Sequence, residues 1–472
     1  MAYLVSETAN FGVPECNGLR QLIRWLCQTS AMANFVNRER ELRSLQRACD
    51  DSGGMAVVSG RRRVGKTALI DRFSGERRAI FLPGTRAPVS EALRRLEERI
   101  RSVLPPQPGD LLDLGHLPSW DAAIGYLLAR ASHEPLVLVL DEFPYLCEAD
   151  ATLPSTLQAR WDHRGESRLS VVLAGSHVGL MEELVAADAP LFGRADAHLR
   201  LTPFSWREAR LLVGGDDAAT WLEAFCTVGG MPRYLTLWDP RHDLLTNLED
   251  LLDGPGAPLG DEGTVVLQEL TPGSGAARVL ELVALGADSF SAVRERTGLA
   301  PASTSEALAL LEALGLVERV TPVGEDARRT RRVRYEVRDP FLRLWLAVVL
   351  PHREAFELGR GSSVLAGHRS TLATSQQRSL RTVLRDVISE KHQADCGPWW
   401  PTGGDTEVDA LALAGGAAVA AGSAHWSTNA DADRERRQIE HALQDSPYAA
   451  PEDVVVLARD GRGVLRPADL YD

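Results

Sequence analysis

Lysine is almost missing from this 472-residue chain: of 52 basic residues only Lys66 and Lys391 are lysines, and the other 50 are arginines. An ordinary surface cation is therefore an arginine here, and a lysine calls for a local reason. Long apolar runs are missing too. None approaches the ~18–20 residues that a membrane-spanning helix needs. The longest candidate, Phe341 to Leu350, carries Arg343 and has the length of a buried core segment. No two of the six cysteines (Cys16, Cys27, Cys49, Cys147, Cys226, Cys396) stand as C-x-x-C. That spacing excludes the common paired-cysteine metal and redox motifs and reads as reduced thiols in a cytoplasmic protein. Positive charge is in deficit, with a formal net charge of -13. A surface that clings to nucleic acid as a whole is excluded, while a local basic patch is not.

What is present is ordinary for a soluble globular protein: 44% hydrophobic and 25% charged residues. The length suggests about two to four domains. Ala31-Met32-Ala33 resembles a signal cleavage site, but Leu22-Ile23-Arg24-Trp25-Leu26 is too short and too charged for the apolar stretch that should precede it. Residues 1–33 are expected to be a leader, weakly structured or, with Met32 as the start, untranslated over 1–31.

Lys66 finds its reason in Gly60-Arg61-Arg62-Arg63-Val64-Gly65-Lys66-Thr67. In a G-x-x-x-x-G-K-T loop, backbone N–H groups cradle phosphates, the ammonium reaches the β/γ oxygens and the threonine hydroxyl ligates Mg²⁺. An apolar strand from Gly54 to Ser59 before it and a helix from Lys66 to about Phe73 after it supply the required context. The eight residues are thus candidates for binding ATP. A second apolar run, Pro135 to Leu140, ends in Asp141-Glu142. It reads as a buried parallel strand. Asp141 is expected to hold Mg²⁺ through water, and Glu142 to polarise the attacking water. A third apolar strand, Leu169 to Ala174, ends in Gly175-Ser176-His177.

Several strings together resemble the archaeal-type ATPases, an AAA+/STAND-like branch of P-loop proteins. They are Phe35-Val36-Asn37-Arg38-Glu39-Arg40-Glu41-Leu42, the phosphate loop, Leu140-Asp141-Glu142-Phe143-Pro144-Tyr145, Gly175-Ser176-His177, Pro190-Leu191-Phe192-Gly193-Arg194 and Gly229-Gly230-Met231-Pro232-Arg233-Tyr234. The resemblance covers residue 34 to about 350. It implies that Ser176 senses the γ-phosphate. It further implies that Arg194 is an arginine finger, a role worth ~10³–10⁵ in rate where it neutralises charge on the transferring phosphoryl group.

After the Gly/Pro-rich stretch 253–260 the pattern changes. Helices over Ala276–Leu285, Ser291–Arg296 and Thr304–Leu314, then short strands over Val317–Val320 and Val333–Val337, read as a winged helix-turn-helix. Between and into those strands Arg328, Arg329, Arg331, Arg332 and Arg334 fall within seven positions, a phosphate footprint on an otherwise acidic chain. The recognition helix offers Ser303, Thr304, Ser305 and Glu306, few of them base-reading groups. Contacts to the backbone of double-stranded DNA are therefore the expectation.

The C-terminal segment resembles the restriction-endonuclease-like domain that follows such ATPases, with Asp409 as the metal acid. Where the resemblance calls for a glutamate and a lysine on the next strand, the chain has Ser423 and His425. One carboxylate cannot hold the cation as two can, so the domain is expected to be degenerate and to serve docking or dimerisation.

The expected fold is α/β. Its parts are a P-loop NTPase core with a parallel sheet (34–200), a helical lid and linker (201–270), a winged helix-turn-helix (271–350) and a small α/β nuclease-like domain (351–472). The expected function is an ATP-binding, ATP-hydrolysing switch with Mg²⁺, coupled to DNA or to a protein partner or second copy, with no membrane. An ATP-gated nuclease and a nucleotide-gated scaffold that never touches DNA are the alternatives.

Overall fold

The computed structural model describes residues 35–75, 77–105, 116–270, 273–402, 407–426, 430–444, 446–459 and 461–471. The leader expected over residues 1–33, with Cys16 and Cys27, lies outside them. Contacts divide the chain into two units. Of the described residues, the first holds those within 35–58, 66–174 and 193–199, and the second those within 59–65, 175–192 and 200–471.

The first unit is a sheet with helices. In chain order it contains α1 (Glu39–Ala48), β1 (Gly54–Ser59), α2 (Lys66–Ser74), β2 (Ala79–Pro83), α3 (Val89–Val103), α4 (Trp120–Ala131), β3 (Leu136–Asp141), α5 (Phe143–Ala149), α6 (Leu153–Asp162), β4 (Leu169–Gly175) and β5 (Ala197–Arg200). The strand order is β2-β3-β4-β1-β5. β2, β3 and β4 pair in parallel, with Ala79 opposite Val137 and Leu136 opposite Leu169. β1 and β4 are buried along their whole length, as strands covered on both faces must be, and this is why they read as unbroken apolar runs. Helices cover the sheet with one apolar stripe each: α3, packed on β2, buries Ala92, Leu93, Leu96 and Ile100. α4 starts where Ser119 Oγ accepts from the Ala122 N–H at 3.2 Å, an N-cap.

The second unit is largely helical. α7 (Val178–Glu183) is followed by α8 (Trp206–Val213), α9 (Ala218–Val228), α10 (Pro232–Leu235), α11 (Leu244–Leu252) and α12 (Glu262–Gln268). The winged helix comprises α13 (Ala276–Ala284), α14 (Phe290–Thr297), α15 (Pro301–Ala313), β6 (Val317–Val320) and β7 (Arg334–Val337). β6 and β7 are antiparallel, with Val317 opposite Val337. α15 begins three residues before the expected Thr304, because Pro301 stands at its first turn with a fixed, helix-compatible φ. Thr304 is fully buried and gives its hydroxyl to the Ala300 carbonyl at 3.1 Å, so it is a packing residue, not a base-reading one.

α16 (Pro340–Leu344), α17 (Arg353–Glu357), α18 (Gly361–Gly367) and the long α19 (Arg369–His392) lead to a four-stranded sheet. Its strands are β8 (Asp395–Trp399), β9 (Val408–Ala414), β10 (Ala417–His425) and β12 (Asp453–Ala458), in the order β12-β10-β9-β8. The short strands β11 (Ala430–Asp431) and β13 (Gly461–Arg462) pair beside it, and α20 (Ala432–Leu443) follows β11. Ala410, Ala412, Ala420 and Ala424 leave room for α19, whose Leu380, Val383, Leu384 and Ile388 share one core with them and with Trp206, Leu222 and Cys226 of α8 and α9. α20 packs through Ile439 and Leu443 on Leu411 and Ala421. Late in the chain, Tyr471 sets its ring edge-on to Trp206 (5.4 Å) and Trp221 (5.1 Å) and donates its hydroxyl to the Trp206 carbonyl at 3.1 Å.

Among the described residues the four cysteines are free, and burial pushes the thiols of Cys49, Cys147 and Cys396 up to about 12. Among the described residues no helix is long and apolar enough to cross a membrane.

Candidate nucleotide site and wing

β1 runs out into the loop 60–65, and the loop opens directly into α2 at Lys66. Gly60 has φ +154°, and a Cβ there would meet the Leu201 carbonyl at 2.7 Å, so this end of the loop has to be glycine. Gly65 takes φ +99° and Arg63 φ +67°. Val64 is fully buried and pins the loop from its apolar side. The loop therefore leads into a helix N-terminus, the arrangement whose dipole favours phosphate.

In the first unit, Lys66 is buried at the start of α2, and Thr67 Oγ1 lies 3.5 Å from Asp141 Oδ2 at the end of β3. Asp141 Oδ1 accepts the Glu142 N–H at 3.0 Å, and its backbone carbonyl accepts the Gly84 N–H at 2.6 Å. Gly84 has to be glycine, since a Cβ there would stand 2.4 Å from the Glu142 carbonyl. Glu142 itself has φ +50°, a strained turn that carries the chain from β3 into α5. Burial, and then the neighbouring Glu142 charge, push the Asp141 carboxyl above its ordinary value, against the pull of Lys66. Two acids and a hydroxyl stand at the end of a buried strand, with Lys66 the nearby cation that acts on Asp141. That fits Mg²⁺, which keeps waters and phosphate oxygens and asks little more of the protein than one or two such oxygens. Among the described residues no group of three or more His, Cys, Asp or Glu forms a protein-only metal cage.

Arg194 is not pointing freely. Its Nε and Nη2 grip Asp162 Oδ1 and Oδ2 at 3.1 and 2.9 Å, at the end of α6. In the second unit, Ser176 follows β4 and lines a cavity with Arg61, Arg62, Tyr234 and Glu262, and His177 caps α7 by accepting the Leu180 N–H at 3.3 Å.

The loop arginines make ion pairs that motif reading missed. Arg61 Nη1 pairs with Asp339 Oδ2 at 2.8 Å, and Arg63 Nε with Glu262 Oε2 at 2.6 Å. Glu262 Oε1 also accepts the Tyr234 hydroxyl at 3.1 Å. Pro232 lies beside the loop, 4.0 Å from where a Cβ on Gly65 would be. Nothing local in the sequence marks Asp339 or Glu262. The only signal is three successive arginines in a loop whose chemistry asks for none.

The five wing arginines separate into two groups. Arg328, Arg329 and Arg331 are exposed, with Arg329 near Asp326 at 3.4 Å. Arg332 pairs with Glu325 and donates to the Trp400 carbonyl. Arg334 pairs with Glu407 at 2.7 Å and lies over the Trp400 ring at 4.1 Å. In the C-terminal sheet, Asp409 is buried and pairs with Arg381 Nε at 2.8 Å while accepting the Ala424 N–H at 2.9 Å. Ser423 donates to Glu435 Oε2 at 3.2 Å, and His425 Nε2 sits 2.9 Å from the same oxygen. Lys391 is spent on Asp453 at 2.7 Å.

Residues 35–237 match the family described as an ATPase domain predominantly from Archaea. The chain carries an ATPase domain of that type. Residues 270–329, which include α13, α14, α15 and β6, match the MarR family. Among solved structures the chain is similar to the Walker-type ATPase PABY2304 of Pyrococcus abyssi. The two are 19% identical with a TM-score of 0.50, over 66% of this chain and 96% of that one. It also matches the ORC2 protein of Aeropyrum pernix in its ADPNP–ADP complexes, at 14% identity and a TM-score of 0.45, over 68% of this chain and 94% of that one. The first likeness is one of fold. No curated protein matches the sequence. The ATPase domain makes this a nucleotide-binding protein with a winged helix.

Proposed function

We propose that the chain is an ATP-hydrolysing switch whose winged helix engages double-stranded DNA. The observation that carries the reading is the meeting of Thr67 with Asp141 at 3.5 Å, beside buried Lys66 and next to Glu142. Lys66 supplies the compact charge for the β/γ oxygens, and the N–H groups of residues 60–66 hold the phosphates. Thr67 and Asp141 would hold Mg²⁺, which when bound neutralises charge on the β and γ oxygens. Glu142 orients water in line with the γ-phosphorus and takes its proton. Ser176 reads the γ-phosphate. Arg194 acts only after leaving Asp162, so the finger role includes a parked state. Arg328, Arg329 and Arg331 are the wing groups left for DNA phosphates.

A second reading, a scaffold that uses the wing to hold protein, is favoured by one specific observation. Arg332 and Arg334 are already committed to Glu325, Glu407 and Trp400. The nuclease reading gains no support, since Asp409 is neutralised by Arg381 and Ser423 and His425 turn to Glu435.

The test is a titration of Mg²⁺-nucleotide followed by turnover. Lys66→Ala should abolish binding, and Glu142→Gln should bind normally while hydrolysing ~10²–10⁴ slower. Arg194→Ala should lower turnover more than affinity. Equal hydrolysis by wild type and Glu142→Gln would remove Glu142 from the mechanism.

A further inference from the structure

The x positions of a G-x-x-x-x-G-K-T loop do not hold phosphate through their side chains, so those side chains are available for other work. Here Arg61 reaches Asp339, and Arg63 reaches Glu262. Both acids are only 5–6% exposed, so a carboxylate there needs its partner. Asp339 stands two residues beyond β7, the last strand of the winged helix, and its Oδ1 caps α16 by accepting the Leu342 N–H at 3.2 Å. The preceding residue is stitched to the other wing strand: the Arg338 N–H donates to the carbonyl of Leu316, next to β6, at 3.0 Å. Glu262 is held from behind by Tyr234, whose ring leans on Phe341 with centroids 4.8 Å apart. One connected set of side chains thus runs from the phosphate loop to the exit of the winged helix.

We infer that Arg61–Asp339 and Arg63–Glu262 form a latch through which nucleotide at the phosphate loop sets the order of the winged-helix junction. The inference rests on the loop being a nucleotide site. Arg63 is a non-glycine residue at φ +67°, a conformation that an arginine adopts only where something holds it. Its ion pair to Glu262 does so. A loop that swings out leaves two buried carboxylates unpaired, so it has two discrete arrangements, not a continuum of them. Phosphate binding favours the latched one. By linkage, whatever stabilises the junction at Asp339 then tightens nucleotide by the same factor.

The experiment uses the full chain and Mg²⁺ with a slowly hydrolysed ATP analogue. Hydrogen exchange across 334–343 is measured with and without nucleotide, in wild type, Asp339→Asn, Glu262→Gln, Arg61→Gln and the Arg61→Gln/Asp339→Asn double variant. The amide replacements keep the oxygens that accept from Leu342 and Tyr234, so the cap and the tyrosine hydrogen bond survive. Wild type should show slower exchange at 334–343 on binding nucleotide. Asp339→Asn and Arg61→Gln should each lose that protection and weaken nucleotide about tenfold. The double variant should be no weaker than either single, because both substitutions break the same ion pair. Asp339→Glu, which keeps the charge, should recover part of the protection. Nucleotide binding without protection in wild type overturns the latch, as do additive effects in the double variant. Wild type that binds no nucleotide at all instead overturns the functional reading beneath it.

Discussion

Asp141→Asn should make the empty protein more stable and the nucleotide-loaded protein less so. The carboxylate of Asp141 is half-buried beside Glu142, and both facts push its carboxyl above the ordinary value of 3.8. A carboxyl raised in the folded state holds more protons folded than unfolded. Its contribution to stability is present below the ordinary value and is lost as pH rises through the raised one. At neutral pH the charge is therefore a net cost. Asparagine removes that charge and keeps Oδ1, which accepts the Glu142 N–H at 3.0 Å. The Thr67 hydroxyl is at the limit of hydrogen-bond distance at 3.5 Å, so removing its charge assistance costs little. The balance is a small rise in the melting midpoint of the empty variant. With ligand at ~100 times Kd, wild type should gain about 2.7 kcal/mol, and the variant should forfeit the Mg²⁺-dependent part. The assay is thermal denaturation of both proteins, empty and with nucleotide, with and without Mg²⁺. A variant that melts below wild type when empty, yet shows the same Mg²⁺-dependent rise, would refute the reasoning.

Two further outcomes are expected. Replacing Arg328, Arg329 and Arg331 with alanine should weaken all duplexes alike and flatten the salt dependence by about one unit for each phosphate no longer neutralised, read by binding titrations across salt; unchanged affinity and slope would favour the scaffold. Purified protein should leave plasmid DNA intact with Mg²⁺ or Mn²⁺, with or without ATP, because Arg381 neutralises Asp409; cutting that disappears in Asp409→Ala would establish a nuclease.

The elements whose signal is local are legible in the sequence. The strand from Gly54 to Ser59 has the bounds its residues predict, since an apolar run followed by a glycine loop leaves little choice. The winged helix follows from periodicity and turn residues, with α15 starting early because Pro301 reads equally well as a turn residue and as a helix start. Partners far apart in sequence stay hidden. The five wing arginines look alike on paper, and only the fold brings Glu407 and Trp400 to Arg334. Asp339 and Glu262 lie 278 and 199 residues from their arginines, and no period or motif connects them. Strand alternation predicts that Ser423 and His425 face Asp409. They do share a face, but Glu435 of α20 occupies it, and Asp409 turns to α19.

The docking of Tyr471 on α8 bears on how the chain is made. Its hydroxyl bonds to Trp206, and Arg207 donates to the Leu470 carbonyl at 2.9 Å, across 265 and 263 positions of sequence. On the ribosome, the edge of Trp206 that Tyr471 covers stays open until residues 470 and 471 emerge, while α9 and α19 pack on the rest of it. Pairings of such span form slowly, because a long loop must close before they repay its entropy. The stretch from α8 onward therefore has to be made through residue 471 before this edge of the core can close.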